Sequence, residues 1–527
     1  MIDKFAVEKY LRKDFDSHVW LKSLSEKELN QIIAEMKPRP QITFPLRKHQ
    51  KVCFILGVAY PGFYFRIDMG GGKTMLMLAL MDYFLDIGLV EKVLVLTRTD
   101  QGADNWEEQI QEWCPDLPYI LLKGASVNKW QDFEDFERGL AIVSYPGLVH
   151  MCCVKELIKH KGKKARQGLV PKRELVDRLL KYLDAFIGDE ITRAMNSESL
   201  TFRICNQISK AVKYHYGLAG RAFGRDPLVV WAQFMLTDRG ETFGSTLGFF
   251  REVFFDAKQN PWGGKYAKDY TFKKSMDADF GRIMNHRSIG YDTEETDIIL
   301  PPVVAARKYV DLPPSSMEYY RRTLEELKRS RGNVREVQNK FIRLRQISSG
   351  FIGFYDDDNG EKAQLEFREN PKLDLLMDLV ENIPEDRKFV ICVCFTWSGA
   401  KISQELRKLK MDHGWLYSGT KNWPAMKKRF DNDPEFRGLI VQAQMASYEL
   451  NLQSANYPLI YESPLSVMDR EQFERRCRRD GQKHTVFQYD LIMRNTVDQT
   501  ILSYHTEGRS LYRDLVKNPE AALRGEL

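Results

Sequence analysis

Short apolar, β-branched runs alternate along the chain with stretches of helical periodicity. "KVLVLTR" (92–98), "LAIVSY" (140–145) and "AFIGDE" (185–190) are each separated by enough residues for a crossover helix. The rhythm returns with "KFVICVCFTW" (388–397), "GLIVQAQ" (438–444), "PLIYES" (458–463) and "TVFQYDLI" (485–492). Strands spaced in this way predict an α/β fold of doubly wound parallel sheets, in two lobes on either side of residue 300. Near the N-terminus, "SEKELNQIIAEM" combines a Ser25/Glu28 capping box with Leu29, Ile32, Ile33 and Met36 on one helical face. The proline-spaced "KPRPQITFP" then breaks the helix. Between 240 and 370 the pattern is helical and irregular. Its "FFREVFF" is expected in a core, and its basic run "YYRRTLEELKRSRGNVREVQNKFIRLRQ" as a helix with one solvated face. The expected division is therefore an N-terminal helical appendage (1–42), a first lobe (43–240), a helical inter-lobe region (241–370) and a second lobe (371–527).

Composition narrows the class. A chain of 527 residues with 43% hydrophobic content can build several cores. No apolar run approaches the roughly 20 residues that cross a bilayer, and "MIDKFAVEKYLRKDFDSHVW" is too charged for a signal peptide, so a soluble, cytoplasmic protein without membrane partners is expected. None of the eight cysteines has zinc-ligand spacing, and buried, reduced thiols are expected. A formal charge of +6 on so long a chain does not by itself point to nucleic acid. That reading has to come from motifs.

Three stretches carry chemistry. In "DMGGGKT" (68–74) the glycines Gly70, Gly71 and Gly72 let backbone N–H groups face phosphate oxygens, Lys73 can reach the β and γ phosphates, and the Thr74 hydroxyl can bind magnesium. The strict phosphate-loop pattern has a glycine where this chain has Ile67. In "FIGDEIT" an apolar strand delivers Asp189 and Glu190 at its carboxyl end, Asp189 to hold magnesium through water and Glu190 to deprotonate the attacking water. In "EQFERRCRRDGQ" (471–482) Arg476 and Arg479 are three apart, the spacing of one helix face, and guanidinium groups there can neutralise a transferring phosphoryl group.

With these residues in place the chain resembles the superfamily 2 helicase-like ATPases, and within them the Swi/Snf-type DNA translocases, over about residues 44–505. "LRKHQ" (46–50) looks like the adenine-reading segment, which makes Gln50 the base contact. "NWEEQIQEW" (105–113), "IVSY" (142–145), "LRQISSGF" (344–351) and "LNLQSAN" (450–456) follow in the family's order. "DEITRAMNSES" keeps Asp189, Glu190, Asn196 and Ser199, and "QFERRCRRDGQ" keeps Gln472, Arg476, Arg479 and the Gly481-Gln482 ending. Departures are Thr192 for the usual histidine, "LAGRAFGRD" (218–226) for Leu-Thr-Gly-Thr-Pro, and "ASYELNL" without its glycines.

The resemblance implies two RecA-like lobes, ATP with Mg2+, and a compact bacterial or bacteriophage-type translocase. It would act as a monomer on duplex or branched DNA beside repair, recombination or replication proteins. Asn105, Trp106, Ser144, Tyr145, Ser418 and Thr420 stand as candidate contacts to the nucleic-acid backbone, with ordinary loop chemistry as the alternative. The run "KHKGKKARQGLVPKR" (159–173), with seven Lys or Arg and no acid, is either a solvated loop or a phosphate contact. Rival readings are an RNA or DNA strand-separating helicase, and a nucleotide-regulated DNA clamp that does not move.

Overall fold

The computed structural model describes residues 18–38, 46–158, 166–220, 222–223, 227–259, 268–296, 300–330, 334–355, 362–420, 422–446, 450–479 and 481–507. The chain forms two compact units, Met1–Ile298 and Ile299–Leu527.

The first unit is built on seven strands: β1 (Gly62–Ile67), β2 (Lys92–Thr97), β3 (Tyr119–Leu121), β4 (Gly139–Ser144), β7 (Ala185–Gly188), β8 (Tyr214–Ala219) and β11 (Ser288–Tyr291). They lie in the order β11-β1-β8-β7-β2-β4-β3, and every neighbouring pair is parallel. Most strand residues are buried because both faces are covered. Side chains alternate between two cores: Phe63, Phe65, Val93, Val95 and Ile187 enter one, and Tyr64, Leu94, Leu96 and Phe186 the other. Helices α1 (Glu26–Met36), α2 (Lys48–Ala59), α3 (Lys73–Asp86) and α4 (Asp100–Trp113) carry residues of the first core. Two antiparallel hairpins complete the unit, β5 (Cys153–Ile158) with β6 (Arg166–Pro171) and β9 (Phe255–Gln259) with β10 (Lys268–Phe272).

The second unit holds a six-stranded parallel sheet of β12 (Val303–Val310), β15 (Phe389–Val393), β16 (His413–Leu416), β17 (Gly438–Gln442), β18 (Tyr457–Ile460) and β19 (Val486–Met493). Its order is β12-β19-β18-β15-β17-β16. A third hairpin pairs β13 (Phe351–Tyr355) with β14 (Lys362–Glu366). Val390 and Cys392 face one core, and Ile391 and Val393 the other. The fold is α/β with two parallel sheets, as the alternation of runs predicts.

Two expected divisions need correction. The segment 241–370 is not a helical region of its own. Its β11 forms the edge of the first sheet and β12 the edge of the second, and the boundary between units falls at 298/299. Both strands escape pattern reading: β11 is four residues long, and most residues of β12 are exposed at a sheet edge. The basic run is two helices, Pro314–Arg329 and Val334–Ser348, which bury Leu327, Phe341 and Leu344. The N-terminal helix is also no separate appendage. Ser25 and Glu28 form the capping box, with Ser25 N donating to Glu28 Oε2 at 2.8 Å, and Leu29 is fully buried among the side chains of α2 and α3. "FFREVFF" is core as expected, through Phe250, Val253, Phe254 and Phe255. All eight cysteines are free thiols, and seven are buried.

The first unit also contains two buried groups with shifted titration, one on the sheet and one at the end of the helix Val230–Thr237. His215 on β8 is buried, its Nδ1–H donating to Thr237 O at 2.9 Å; burial, with Arg239 nearby, pushes its pKa down to about 4. The folded state therefore excludes a proton that the unfolded chain binds below 6.5. That contribution is complete above pH 6.5 and is lost as the pH falls toward 4, about 3 kcal/mol in all. Buried Asp238 has the opposite sign. Its carboxyl is pushed up to about 7 by burial, so its destabilising effect grows as the pH rises from 4 to 7. The two effects oppose each other between pH 4.5 and 6.5, and the advantage of wild type over His215→Asn should shrink steadily as the pH falls from 6.5 to 4.5 in urea unfolding.

Candidate functional site

The site lies at the carboxyl ends of β1 and β7, where open α/β sheets bind ligands. After β1 the chain turns through Gly70 (φ 82°) and Gly72 (φ 76°), both left-handed, and Gly71 N donates to Asp68 O at 3.0 Å. A Cβ on Gly71 would stand 2.3 Å from Ile67 Cγ2, and one on Gly72 2.3 Å from Gln50 Nε2. Only glycine fits this loop, and it leads directly into the N-terminus of α3 at Lys73, with Thr74 in the first turn. Backbone N–H groups at such a terminus form an anion cradle.

The lysine and the two acids come together. Lys73 Nζ donates to Ile67 O at 3.1 Å and lies 3.6 Å from Glu190 Oε1. Glu190 has a left-handed backbone (φ 47°, ψ 54°), which costs a non-glycine residue about 1–2 kcal/mol and places its side chain beside the loop. Both oxygens of the Asp189 carboxylate are held: Oδ1 accepts Glu190 N at 3.0 Å, and Oδ2 accepts the indole N–H of Trp106 at 2.9 Å. The Thr74 hydroxyl and the Asp189 carboxylate are hard oxygen donors of the kind magnesium takes. Among the described residues no group of three His, Cys, Asp or Glu residues could form a metal cage.

Gln50 is buried, with Nε2 donating to Gly72 O at 3.0 Å and Oε1 accepting Arg47 N at 2.8 Å. It therefore braces the phosphate loop. Its neighbour His49 carries no role in the sequence reading, yet its Nε2 lies 2.8 Å from Gly71 O and its ring packs on Tyr291. Two residues on, Thr293 donates through N and Oγ1 to Asp68 Oδ2, at 3.3 and 3.1 Å. The edge strand β11 thus leads into a segment that grips the loop from behind. Nothing in the spacing of "LRKHQ" and "GYDTEE" announces this pairing across more than 200 residues.

Several candidate nucleic-acid contacts are corrected by burial. Trp106 is 1% exposed and serves Asp189. Tyr145 is 2% exposed and part of the core, with its hydroxyl close to Gly188. Ser144 is buried and caps the following helix by accepting Gly147 N at 3.1 Å. Asn105 is half-buried, and Ser418 is exposed. Thr420 closes its turn, donating to Trp415 O at 3.0 Å and accepting Tyr417 N at 3.1 Å. Asn196 and Ser199 have local duties: Asn196 Oδ1 accepts Glu198 N, and Ser199 Oγ caps the helix Leu200–Ala211. In the basic run, residues 159–165 lie outside the described residues, and the flanks form the β5/β6 hairpin. Parts of "LAGRAFGRD" (221, 224–226) and "ASYELNL" (447–449) lie outside them as well.

In the second unit the helix Val467–Cys477 carries Gln472, buried, and Arg476, half-buried. It ends before Arg479, so the two arginines do not share a helix face; Gly481 (φ 93°) turns the chain instead. The two late motifs meet. Arg479 donates to the Asn451 side chain, Leu452 N donates to Arg476 O at 3.1 Å, and Gln482 Nε2 donates to Gln453 O and Ala455 O, each at 2.9 Å. Gln482 is therefore the clamp that fixes "LNLQSAN" beside the arginine loop.

No family model matches the chain. It is similar to the putative ATP-dependent helicase/translocase YwqA of Bacillus subtilis, 20% identical over 511 residues that cover 92% of this chain and 50% of YwqA. It is also similar to a Drosophila melanogaster SWI/SNF-related regulator of chromatin containing DEAD/H box 1, 20% identical over 86% of this chain and 58% of that protein. Helicase ssl-1 of Caenorhabditis elegans is 29% identical over 126 residues, 23% of this chain and 5% of its own length. The chain thus spans little more than half the length of these relatives at most. Among solved structures, the Sulfolobus solfataricus SWI2/SNF2 ATPase core in complex with dsDNA covers 90% of this chain and 93% of its own, at 19% identity and a TM-score of 0.38.

Proposed function

We propose that the chain is an ATPase whose hydrolysis drives movement along duplex DNA, in the manner of Swi/Snf-type translocases. The observation that carries the first half is the convergence of Lys73, Glu190 and Asp189 around a loop that only glycine can form. The phosphates of ATP would lie on the N–H groups of residues 70–74 and take Lys73 away from Glu190. The freed carboxylate would then accept the proton of the attacking water. Thr74 and Asp189 would hold magnesium, which when bound would supply charge neutralisation at the phosphates. On the family resemblance alone, Arg476 and Arg479 would be the arginines that neutralise charge on the transferring phosphoryl group.

The second half rests on the ordered motifs and on the similarity to a protein named a helicase/translocase. Asn105 and Ser418 remain the candidate backbone contacts. Branched DNA of repair, recombination or fork remodelling is the proposed setting, with the chain acting as a monomer in the cytoplasm. Among the described residues no helix is long and apolar enough to cross a membrane.

The test is steady-state ATP hydrolysis with no nucleic acid, duplex DNA, fork DNA, single-stranded DNA and RNA, at two salt concentrations. Stimulation by duplex or fork DNA, weakening with salt, is expected. Stimulation by RNA alone would instead mark an RNA helicase, and tight DNA binding without turnover a clamp.

A further inference from the structure

Trp106 lies beside the chemistry without being able to touch a substrate. The indole is packed in the core that receives Val93, Val95 and Ile187, and its one polar atom points at Asp189. Asp189 is 7% exposed as a residue, which leaves little room for water to replace that donor. A hydrogen bond from a neutral N–H to a carboxylate is charge-assisted and directional. With Oδ1 already taken by Glu190 N, the Trp106 bond fixes the plane of the carboxylate.

The bond also closes a ring of interactions. Asp189 N donates to Leu96 O at 2.8 Å, at the end of β2. The next residue, Thr97, donates through Oγ1 to Thr99 O at 2.8 Å, and Thr99 caps α4 by accepting Gly102 N at 3.3 Å. One turn further along α4, Trp106 returns to Asp189. A displacement of α4 therefore cannot leave Asp189 where it was, because β2, the cap and the indole tie the helix to the carboxylate at both ends of its first two turns.

We infer that Trp106 is a positioning residue that orients the Asp189 carboxylate for magnesium and makes that orientation depend on the position of α4. This rests on the reading of the site as a Mg2+-dependent ATPase. Asn105, the adjacent half-buried residue, is the candidate nucleic-acid contact on the same helix. Occupancy of Asn105 would then be felt at Asp189 through one side chain, without any contact between nucleic acid and nucleotide.

The experiment compares wild type with Trp106→Phe, which keeps an aromatic ring but has no donor, and Trp106→His, which loses more packing but keeps a ring N–H. Calorimetric affinity for ADP is measured with and without Mg2+, alongside the melting temperature. Trp106→Phe is expected to weaken ADP binding in Mg2+ by about ten-fold, the usual effect of removing a partner behind a metal ligand. Without Mg2+ the change should stay within about two-fold, the scatter of independent sites. Trp106→His should lose less of the Mg2+-dependent affinity than Trp106→Phe, although it is the less stable protein. In an Asp189→Ala background, adding Trp106→Phe should change the Mg2+ dependence by no more than about two-fold, because the bond's partner is already gone. The factor by which duplex DNA stimulates hydrolysis should also fall in Trp106→Phe. Equal losses with and without Mg2+, effects that follow melting temperature instead of the donor, or full additivity with Asp189→Ala would each make Trp106 a core filler and overturn the inference. If wild type binds no ADP at all, the ATPase reading itself fails, an outcome separate from these.

Discussion

Glu190→Gln should lower kcat by roughly 10²- to 10⁴-fold, the range expected for loss of a general base, while ATP still binds. The two side chains are nearly isosteric, and the left-handed backbone at φ 47° is no harder for Gln than for Glu. What changes is the proton acceptor and the charge 3.6 Å from Lys73 Nζ. With a neutral amide there, Lys73 loses its competing carboxylate and is drawn more readily to phosphate oxygens. The variant should therefore hold ATP as tightly as wild type or more so. Single-turnover hydrolysis and equilibrium binding of ATP separate the two effects. Turnover close to wild type would remove Glu190 from the chemistry, and lost binding would make it a structural support of the loop.

Arg479→Ala should reduce kcat by about 10³- to 10⁵-fold, the effect of an arginine that stabilises charge on the transferring phosphoryl group. Arg479 is held by the Asn451 side chain in a loop fixed by Gln482. Arg479→Lys should recover little, since an ammonium lacks the planar fork. The measurement is kcat against KM for ATP in the presence of duplex DNA. A rise in KM with kcat preserved would assign Arg479 to ground-state binding instead of the transition state.

The parts of this architecture that were readable from sequence are those with strong local patterning. Buried parallel strands such as β2 and β15 are near-continuous apolar runs, because helices cover both their faces. The Ser25/Glu28 capping box and the glycine loop are equally local. Edge strands were not readable, because β12 presents most of its residues to solvent and β11 is too short to show a period. The same limit governs the site. Lys73, Asp189 and Glu190 are visible as chemistry next to apolar strands, but a residue's partner is set by tertiary packing. "NW" at 105–106 and "SY" at 144–145 look alike as loop motifs exposed to a ligand. In the fold, Trp106, Ser144 and Tyr145 turn inward, and only Asn105 keeps part of its surface. His49 and Thr293 escape sequence reading for the same reason: each bonds to a group far away in sequence.

The most direct test of the central claim, that hydrolysis at Glu190 is spent on movement along a duplex, is displacement of a short third strand from triplex DNA during ATP turnover. Wild type should release the third strand with ATP, in proportion to the ATP consumed, and not with ADP; Glu190→Gln should bind the same DNA and release none. Duplex-stimulated hydrolysis with the third strand left in place, or release that persists in Glu190→Gln, would contradict the account.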